Sequence, residues 1–491
     1  MKKSLFLIVL GLSSLAYAQE FTDLYGDYLG QTPPGDIPVV FAPGIVSTIY
    51  MEHSAPTFSP DGNEVFWRVA QGFVSVPADV TVMPKTMKRV EGRWTVPMDS
   101  PYGGEPFISP DGNRLYFTRL LSDSKADGPY FVEKQGDSWS EPQNIGLVAH
   151  FPELHSVYGL TVTRDGTLYF AGDTAGLGML KDLVLYRAKL LNGEYTQLET
   201  LPPCINLPGS WNYTPFIAPD ESYLIFSSNR PGSLDGYGDL YISFHDINKD
   251  TWSEPVNLGE PINTLGQESS PGLSPDGEYL FFTGPNAGNQ ADIFWVNARL
   301  YLPDSNGPVL NRNQSIRFST IQAAIHLAQP GDEIVIEPGI YQENLTIDGK
   351  DIVLRSTDPN DPFYIGGTII TGHSDNPVVA LSNNSSACQI AGLTIRAGSV
   401  GISGTTIQAT VRNCRIMDNI THGVELFQES NPHLKDCLIA CNGDTGIMMH
   451  PSKGRGKPPC APVIENCIIV DNGKAAIDGG EPYIFDSIIQ D

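Results

Sequence analysis

Five polar residues that could take part in binding lie at comparable points of a repeated segment in the N-terminal part of the chain. They are His53, Glu105, His155, Asn212 and Glu268. Each precedes a short apolar run and a tight turn, which places the five at one end of successive repeats. Imidazole, carboxylate and amide groups around the mouth of a ring could bind a peptide or a small ligand. The alternative interpretation is the ordinary hydrated mouth of a β-propeller.

The turn that defines this repeat has the sequence Ser-Pro-Asp-Gly. It occurs at 59–62, 109–112 and 274–277, and two degenerate copies contain Asp165 and Asp220. Pro presets φ at the first corner, Asp hydrogen-bonds to its own backbone, and Gly accepts positive φ. The turns recur every 50 to 56 residues, each between two apolar runs. This period predicts a β-propeller of five blades, or of six if the N-terminal segment supplies more than one strand.

The segment 38–42 is expected to close the ring. The last repeat lacks the outer strand found in the others, and this apolar segment can supply it. Residues 37–300 resemble the TolB-like β-propeller proteins, which carry the same Ser-Pro-Asp-Gly turn. The match extends to Ser-Asn-Arg-Pro-Gly at 228–232 and Gly-Asp-Leu-Tyr at 238–241. The resemblance implies the fold and leaves the function open, because such propellers serve many functions.

A second, shorter repeat of about 22 residues runs through the C-terminal part of the chain and predicts a parallel β-helix. Residues 314–491 resemble the right-handed parallel β-helix family with the pectin-lyase-like fold. The opening of that family matches Thr-Ile-Gln-Ala-Ala-Ile at 320–325, and the resemblance implies a helix that caps the first coil. Ser319 and Gln322 are expected to form the capping box of this helix.

Two residue types recur in register within the shorter repeat. Asparagine and aspartate form one series, which we expect to stack as a structural ladder: Asn413, Asp436, Asn466 and Asp486. The cysteines at 414, 437 and 467 follow the same register, with residue 392 as the equivalent position one coil earlier. Their spacing matches no zinc site, which favours buried apolar packing. Cys441 and Cys460 are the one pair considered for a disulfide.

The β-helix resemblance also implies candidates for an enzyme site. Polysaccharide lyases and hydrolases of that family hold carboxylates and a basic residue on neighbouring coils. The candidates here are Asp418, Glu425, Asp444 and His450. Paired carboxylates would serve glycoside hydrolysis, whereas bound Ca²⁺ with a nearby base would serve elimination. Calcium is therefore expected only if the β-helix is a lyase, and otherwise no cofactor or metal site is predicted; the alternative is solvated corners.

Composition excludes some partners. The chain has 30 basic and 56 acidic residues and a net charge of −26, which argues against nucleic acid and anionic membrane surfaces. No stretch approaches the ~20 apolar residues of a membrane span.

Two lysines, a short apolar run and Ala-Tyr-Ala at 16–18 predict a cleavable signal peptide and a secreted or periplasmic, bacterial protein. The sequence contains no Gly-x-Ser-x-Gly elbow, His-Glu-x-x-His motif or phosphate loop.

We therefore predict an all-β protein with a signal peptide at 1–18, an irregular segment at 19–36, a propeller at 37–300, a linker at 301–313 and a β-helix at 314–491. The leading functional interpretation is an exported protein whose propeller mouth binds a protein or a glycan, with the β-helix as scaffold or glycan-binding surface. The alternative is a carbohydrate-active enzyme with its site on the β-helix. The terminal strand at 488–489 predicts end-to-end self-association or a natural sequence that continues.

Overall fold

The computed structural model describes residues 24–52, 54–71, 81–120, 126–174, 183–234, 236–286, 291–451 and 458–491. The predicted signal peptide lies outside these residues. Within them, the α-helices are short, at Leu147–His150, Ile321–Leu327 and Pro362–Gly367. All other regular structure apart from 3-10 turns is β-sheet, which confirms the predicted all-β class.

The N-terminal domain is a propeller of five blades, as predicted. Blade 1 contains Met51–Glu52, Thr57–Phe58, Glu64–Gln71, Thr81–Val90, Arg93–Trp94 and Met98–Asp99. Blade 2 contains Phe107–Ile108, Arg114–Leu120, Ala126–Gln135, Ser138–Trp139 and Gln143–Asn144. Blade 3 contains Ser156–Val162, Leu168–Asp173, Val184–Leu191 and Glu194–Thr200. Blade 4 contains Asn212–Ile217, Tyr223–Ser228, Asp239–Asp246, Thr251–Trp252 and Val256–Asn257. Blade 5 contains Ser269–Leu273, Tyr279–Pro285, Ala291–Asn297 and, from the N-terminus, Val39–Val40.

The aspartate of each turn folds back onto its own backbone. In the first turn the Oδ1 atom of Asp61 accepts the N–H of Asn63 at 3.0 Å and the hydroxyl of Ser59 at 2.5 Å. Gly62 has φ of 67°, which a residue with a side chain rarely adopts. Burial opposes ionisation of Asp61, but these hydrogen bonds outweigh it and lower the pKa of the carboxyl. The aspartates therefore define the turns between the two inner strands of each blade.

The N-terminal segment closes the ring, as predicted. Val39 and Val40 pair antiparallel with Trp295 and Phe294 of blade 5. The next residue, Phe41, is fully buried, and its ring lies 5.1 Å from that of Phe281. Closure therefore rests on both backbone pairing and an aromatic core at the junction of blades 5 and 1.

The C-terminal domain is a parallel β-helix in which each coil contributes one strand to each of three sheets. Sheet A contains Val309–Asn311, Ile316–Phe318, Glu333–Ile336, Val353–Ser356, Gln389–Ala391, Thr410–Arg412, His433–Lys435, Val463–Glu465 and Tyr483–Phe485. Sheet B contains Gly339–Gln342, Thr368–Thr371, Thr394–Arg396, Arg415–Met417, Leu438–Ala440, Ile468–Val470 and Ile488–Ile489. Sheet C contains Leu345–Asp348, Val379–Ser382, Ile402–Thr405, Val424–Phe427, Thr445–Met449 and Ala475–Asp478. The first strand lies within the segment that was interpreted as a linker.

The predicted polar ladder exists, and its members all have positive φ, between 47° and 55°: Asn413, Asp436, Asn466 and Asp486. Pairing registers place Leu393, not residue 392, one coil before Cys414, so the predicted alignment was wrong by one residue there. This left-handed residue comes directly before a buried position at Gly392, Asn413, Asp436 and Asn466. It turns the chain between sheets A and B, because Asn and Asp tolerate αL.

A second ladder, which the sequence did not reveal, lies inside the coil. The amide of Asn419 donates to Asn442 at 2.9 Å, and that of Asn442 donates to Asn472 at 2.9 Å. All three side chains are buried, and each amide pairs with its neighbour one coil along. The ladder satisfies polar groups at the corner between sheets B and C.

The capping helix Ile321–Leu327 joins the two domains. Its N-cap is Thr320, which accepts the N–H of Ala323, so the predicted capping box at Ser319 was wrong. Glu343 from the next coil accepts the N–H groups of Ile321 and Gln322 at 2.9 Å each, replacing the predicted glutamine. The hydroxyl of Ser319 instead donates to Asp304. The helix end is thus held by tertiary contacts that a local motif cannot show.

The β-helix is seated on blades 4 and 5. One continuous cluster of buried residues runs from Leu258 and Val296 of those blades through Ile325 of the helix into the coils. The Nε2 atom of His326 also lies 3.2 Å from the carbonyl oxygen of Asn257. The junctions between the other blades have separate cores. Blades 4 and 5 therefore share their core with the second domain.

Candidate functional site

The central channel of the propeller is narrow, with a cavity of about 60 Å³ at its centre. Each blade contributes a residue that lies in its innermost strand or just before it: Ala55, Glu105, Gly159, Thr214 and Ser270. Four of these side chains are small or absent, and the fifth is a carboxylate. Glu105 is therefore the charged side chain that lines the channel at this level.

Glu105 is held from three blades. Its Oε1 atom lies 3.4 Å from the Nη1 atom of Arg68 in blade 1 and 3.4 Å from the hydroxyl of Tyr213 in blade 4. Its Oε2 atom accepts the backbone N–H of Gly159 in blade 3. A Cβ atom at Gly159 would lie 2.6 Å from the Cα atom of Thr214, so this approach requires glycine. The side chain itself is only 6% exposed.

Two tyrosines extend the cluster towards one mouth of the channel. The rings of Tyr158 and Tyr213 lie 6.2 Å apart between centroids in a tilted arrangement, and both residues are half-buried. Burial and the adjacent charge of Glu105 raise the pKa of Tyr213 well above its ordinary value. The hydroxyl therefore stays protonated and donates its hydrogen bond. We call Arg68, Glu105, Tyr158 and Tyr213 the mouth cluster.

The other predicted mouth residues have different environments. Asn212 is buried and its Oδ1 atom accepts the Nη2 of Arg230 at 3.1 Å. Glu268 is buried and accepts the hydroxyl of Thr264 at 2.6 Å. His155 is exposed, and His53 lies outside the described residues. Of the four predicted mouth residues that the structure describes, Glu105 is the one whose side chain lines the channel cavity.

In blades 4 and 5 a β-bulge determines which residues face the channel and which are buried within the blade. The strand register shifts between Tyr213 and Phe216 in blade 4 and between Ser269 and Gly272 in blade 5. Residues within the bulge, such as Ser270, turn towards the channel, with φ of 51°. Residues before the bulge turn into the blade instead. Sequence spacing alone did not indicate where the extra residue lies.

The sequence also did not indicate Arg68. It lies in the strand Glu64–Gln71, which pairs with the innermost strands of blade 1 and was not expected to line the mouth. The backbone N–H of Arg68 donates to the hydroxyl of Ser54 at 3.1 Å, which ties this strand to the inner one. A basic residue directly after the Val-Phe-Trp run was the available signal.

The four β-helix candidates fall in two places. Glu425 and His450 meet on sheet C, where the Oε1 and Nε2 atoms lie 2.7 Å apart. Asp444 precedes the strand Thr445–Met449 and pairs with Lys474, whereas His450 follows that strand. Five residues of strand span about 17 Å, so this strand separates Asp444 from the first pair. Asp418 is exposed beyond the end of sheet B.

The pair on sheet C is supported by an aromatic ring. The imidazole of His450 stacks on Phe427 with centroids 4.4 Å apart and planes 3° apart. On sheet A, a separate group joins His433 and Lys435 to Glu465 at 2.9 and 2.7 Å. These are hydrogen-bonded surface groups, and the structure does not gather the predicted acid and base residues into one groove.

Thiols and metal-ligating side chains are two other sources of chemistry in proteins. All seven thiols are free, including Cys441, which is exposed, and Cys460, which is buried. Within the ranges given above, no three His, Cys, Asp or Glu side chains form a group that could hold a metal ion. In the same ranges, no helix is long and apolar enough to cross a membrane.

Comparison with known protein families finds one match, which lies in the second domain. The family model described as the right handed beta helix region matches residues 346–482, which confirms the predicted β-helix. A search of the curated proteins finds no match to this chain.

Solved structures show a weaker similarity to this chain. A candidate TolB from Agrobacterium tumefaciens is 16% identical with a TM-score of 0.31, over 47% of this chain and 69% of that one. An oligogalacturonate lyase from Vibrio parahaemolyticus is 14% identical with a TM-score of 0.31, over 50% and 66%. A thermostable family-43 glycoside hydrolase is 12% identical with a TM-score of 0.36, over 58% and 97%. Similarity at this level carries no conclusion about the activity of this chain.

Proposed function

We propose that this is an exported binding protein that recognises a protein or a glycan at the mouth of its propeller. The observation that carries the proposal is the convergence of the mouth cluster, to which blades 1, 2, 3 and 4 each contribute one side chain. Residues 1–18 support export through their resemblance in pattern to a signal peptide. The β-helix then acts as a rigid scaffold or as a second glycan-binding surface.

The chemistry of the mouth cluster favours a hydroxyl-rich or amide-rich ligand. Two phenol rings offer apolar faces with polar edges, which suits sugars and peptides alike. Arg68 supplies donors and Glu105 supplies acceptors, and the pair is already balanced in charge. A neutral polar ligand therefore displaces no ion and leaves no charge unpaired.

Binding of the intact protein to glycan and peptide arrays tests this proposal. The variant Tyr158→Ala removes one ring without touching the Glu105 hydrogen bonds, and we expect it to weaken binding about tenfold or more. Tyr483→Ala, an exposed tyrosine of sheet A, is the matched control and should bind as the wild type does. If the two variants bind equally well, or if neither array retains the wild-type protein, the mouth is not the binding site.

An enzyme acting on carbohydrate is the alternative, and the contact between Glu425 and His450 is the observation in its favour. A carboxylate and an imidazole 2.7 Å apart could transfer a proton. Incubation of the intact protein with array-positive glycans, followed by a reducing-end assay, tests this. New reducing ends that disappear in Glu425→Gln would support the enzyme, whereas intact glycans would favour binding alone.

A further inference from the structure

A second and larger cavity lies at the opposite end of the propeller channel, between the two domains. Its volume is about 640 Å³, within the range of ~300–1,000 Å³ typical of small-molecule sites. Its walls are the Asp turns of the propeller, and its cover is the segment 303–317 that opens the β-helix. We call it the interdomain cavity.

The cavity is preformed. The β-helix is seated to one side, on blades 4 and 5, through the shared core and the contact of His326 with Asn257. The segment 303–317 then extends over the propeller axis. Leu310 shows this geometry: its neighbours Val309 and Asn311 are buried, whereas Leu310 alternates outwards and lines the cavity. The space is thus fixed by the docking of two rigid domains.

Most polar groups in the walls of the interdomain cavity already form hydrogen bonds or ion pairs within the protein. The hydroxyl of Ser274 donates to Asp276 at 2.6 Å, and Tyr28 donates to the same carboxylate at 2.7 Å. The guanidinium of Arg317 pairs with Glu337 at 2.8 Å. A ligand rich in hydroxyl groups would find few partners here, and each unpaired hydroxyl would cost free energy.

Arg164 is the exception. It lines the cavity from blade 3, is exposed, and forms no ion pair with any residue in the described ranges. Apolar side chains from blades 1, 2, 4 and 5 and from the segment 303–317 line the same cavity and form its aromatic wall: Phe58, Phe107, Phe216, Tyr223, Leu273 and Ile316. A cation in a cavity lined by aromatic and aliphatic side chains complements a molecule with an anionic group on an apolar ring.

We infer that the interdomain cavity binds a small aromatic carboxylate. The carboxylate pairs with Arg164, and the ring packs against the aromatic wall. This site is separate from the mouth cluster, because it lies at the other end of the channel and shares no residue with it. Its ligand and its test are therefore independent of the proposed function.

Calorimetric titration of the intact protein with 3-phenylpropionate tests the inference, with neutral 3-phenylpropionamide as the matched probe. We expect the carboxylate to bind at least tenfold more tightly than the amide. Arg164→Gln should abolish that difference, whereas Arg396→Gln on sheet B should preserve it. Leu310→Trp should fill the cavity and remove binding of both probes.

Circular dichroism and the melting temperature establish that each variant is folded, and Arg164 is exposed, so its substitution does not disturb a core. The inference is overturned if 3-phenylpropionate does not bind, if acid and amide bind equally, or if Arg164→Gln retains the preference. Binding that survives Leu310→Trp would place the ligand elsewhere and overturn it as well.

Discussion

The propeller and the β-helix are both built from repeats, yet they place equivalent residues differently. In the propeller, residues some 50 to 56 positions apart converge on one axis, and Glu105 contacts residues from three other blades. In the β-helix, equivalent residues stack along the axis, so each contacts its counterpart one coil away. A ring brings different side chains together, whereas a stack brings like side chains together. Mixed chemistry is therefore easier to assemble on the propeller axis.

The largest effect should follow from opening the ring. Phe41→Ala removes a fully buried ring beside Phe281 at the closure, and we expect a loss of about 3–5 kcal/mol in the free energy of unfolding. Ile37→Ala, at an exposed residue of the same segment, should change it little. Denaturant unfolding measures both. Equal losses in the two variants would mean that closure does not depend on the aromatic core.

The next largest effect is a pH-dependent change in stability at the same junction of blades 5 and 1. Burial raises the pKa of Glu52 to about 8, and its Oε2 atom has no hydrogen-bond partner within the described ranges. The stabilisation of the neutral form is fully present below the unfolded pKa, about 4.5, and is lost as pH rises through about 8. Glu52→Gln should therefore be more stable than the wild type at pH 9, by about 2–4 kcal/mol.

Melting temperatures between pH 5 and pH 9 test this prediction. The two proteins should differ least at pH 5, where Glu52 is mostly neutral in the folded protein. Asp292, which also raises the pKa of Glu52, stays in both proteins and controls for the remaining buried charge. A constant difference across the range would show that Glu52 does not titrate.

The buried amide ladder should give a smaller, local effect. Asn442→Ala removes the partner of both Asn419 and Asn472 and leaves buried polar atoms unpaired. We expect a loss of about 1–3 kcal/mol in the free energy of unfolding. Asn376→Ala, at an exposed asparagine of the same domain, should cost less than about 0.5 kcal/mol. Similar losses in the two variants would mean that the stacked asparagine amides do not contribute to the free energy of unfolding.

The smallest effect is expected on sheet C. Glu425 and His450 form a partly exposed pair, with side chains 19% and 39% accessible. Such pairs contribute less than about 1 kcal/mol, so Glu425→Gln should scarcely change unfolding. It should also leave ligand binding at the mouth cluster unchanged. A marked loss of ligand binding in this variant would mean that the binding site lies on the β-helix and not on the propeller.

Local chemistry explains what the sequence could predict. The Asp turns follow from the side chains of Ser59 and Asp61 and from the positive φ of Gly62, all within four residues, and their period then determines the number of blades. The positive φ of Asn413 and its counterparts is similarly local. Such features are visible in a single sequence because the residues that cause them are neighbours.

Features that depend on distant partners were not predictable in the same way. Arg68 of blade 1 reaches Glu105 of the neighbouring blade 2, and Glu343 replaces a local cap at Ile321 from the next coil. The bulge in blade 5 turns Ser270, rather than Glu268, towards the channel. The interdomain cavity depends on where the β-helix docks, and no single repeat carries that information.

The shared core has a consequence for how such chains can arise. Leu258 and Val296 of the propeller are buried in the same cluster as Ile325 of the β-helix. A chain divided between the two domains would present that apolar surface to water on both pieces, and each would be prone to aggregate. A chain of this kind therefore needs matching apolar surfaces on both of its domains.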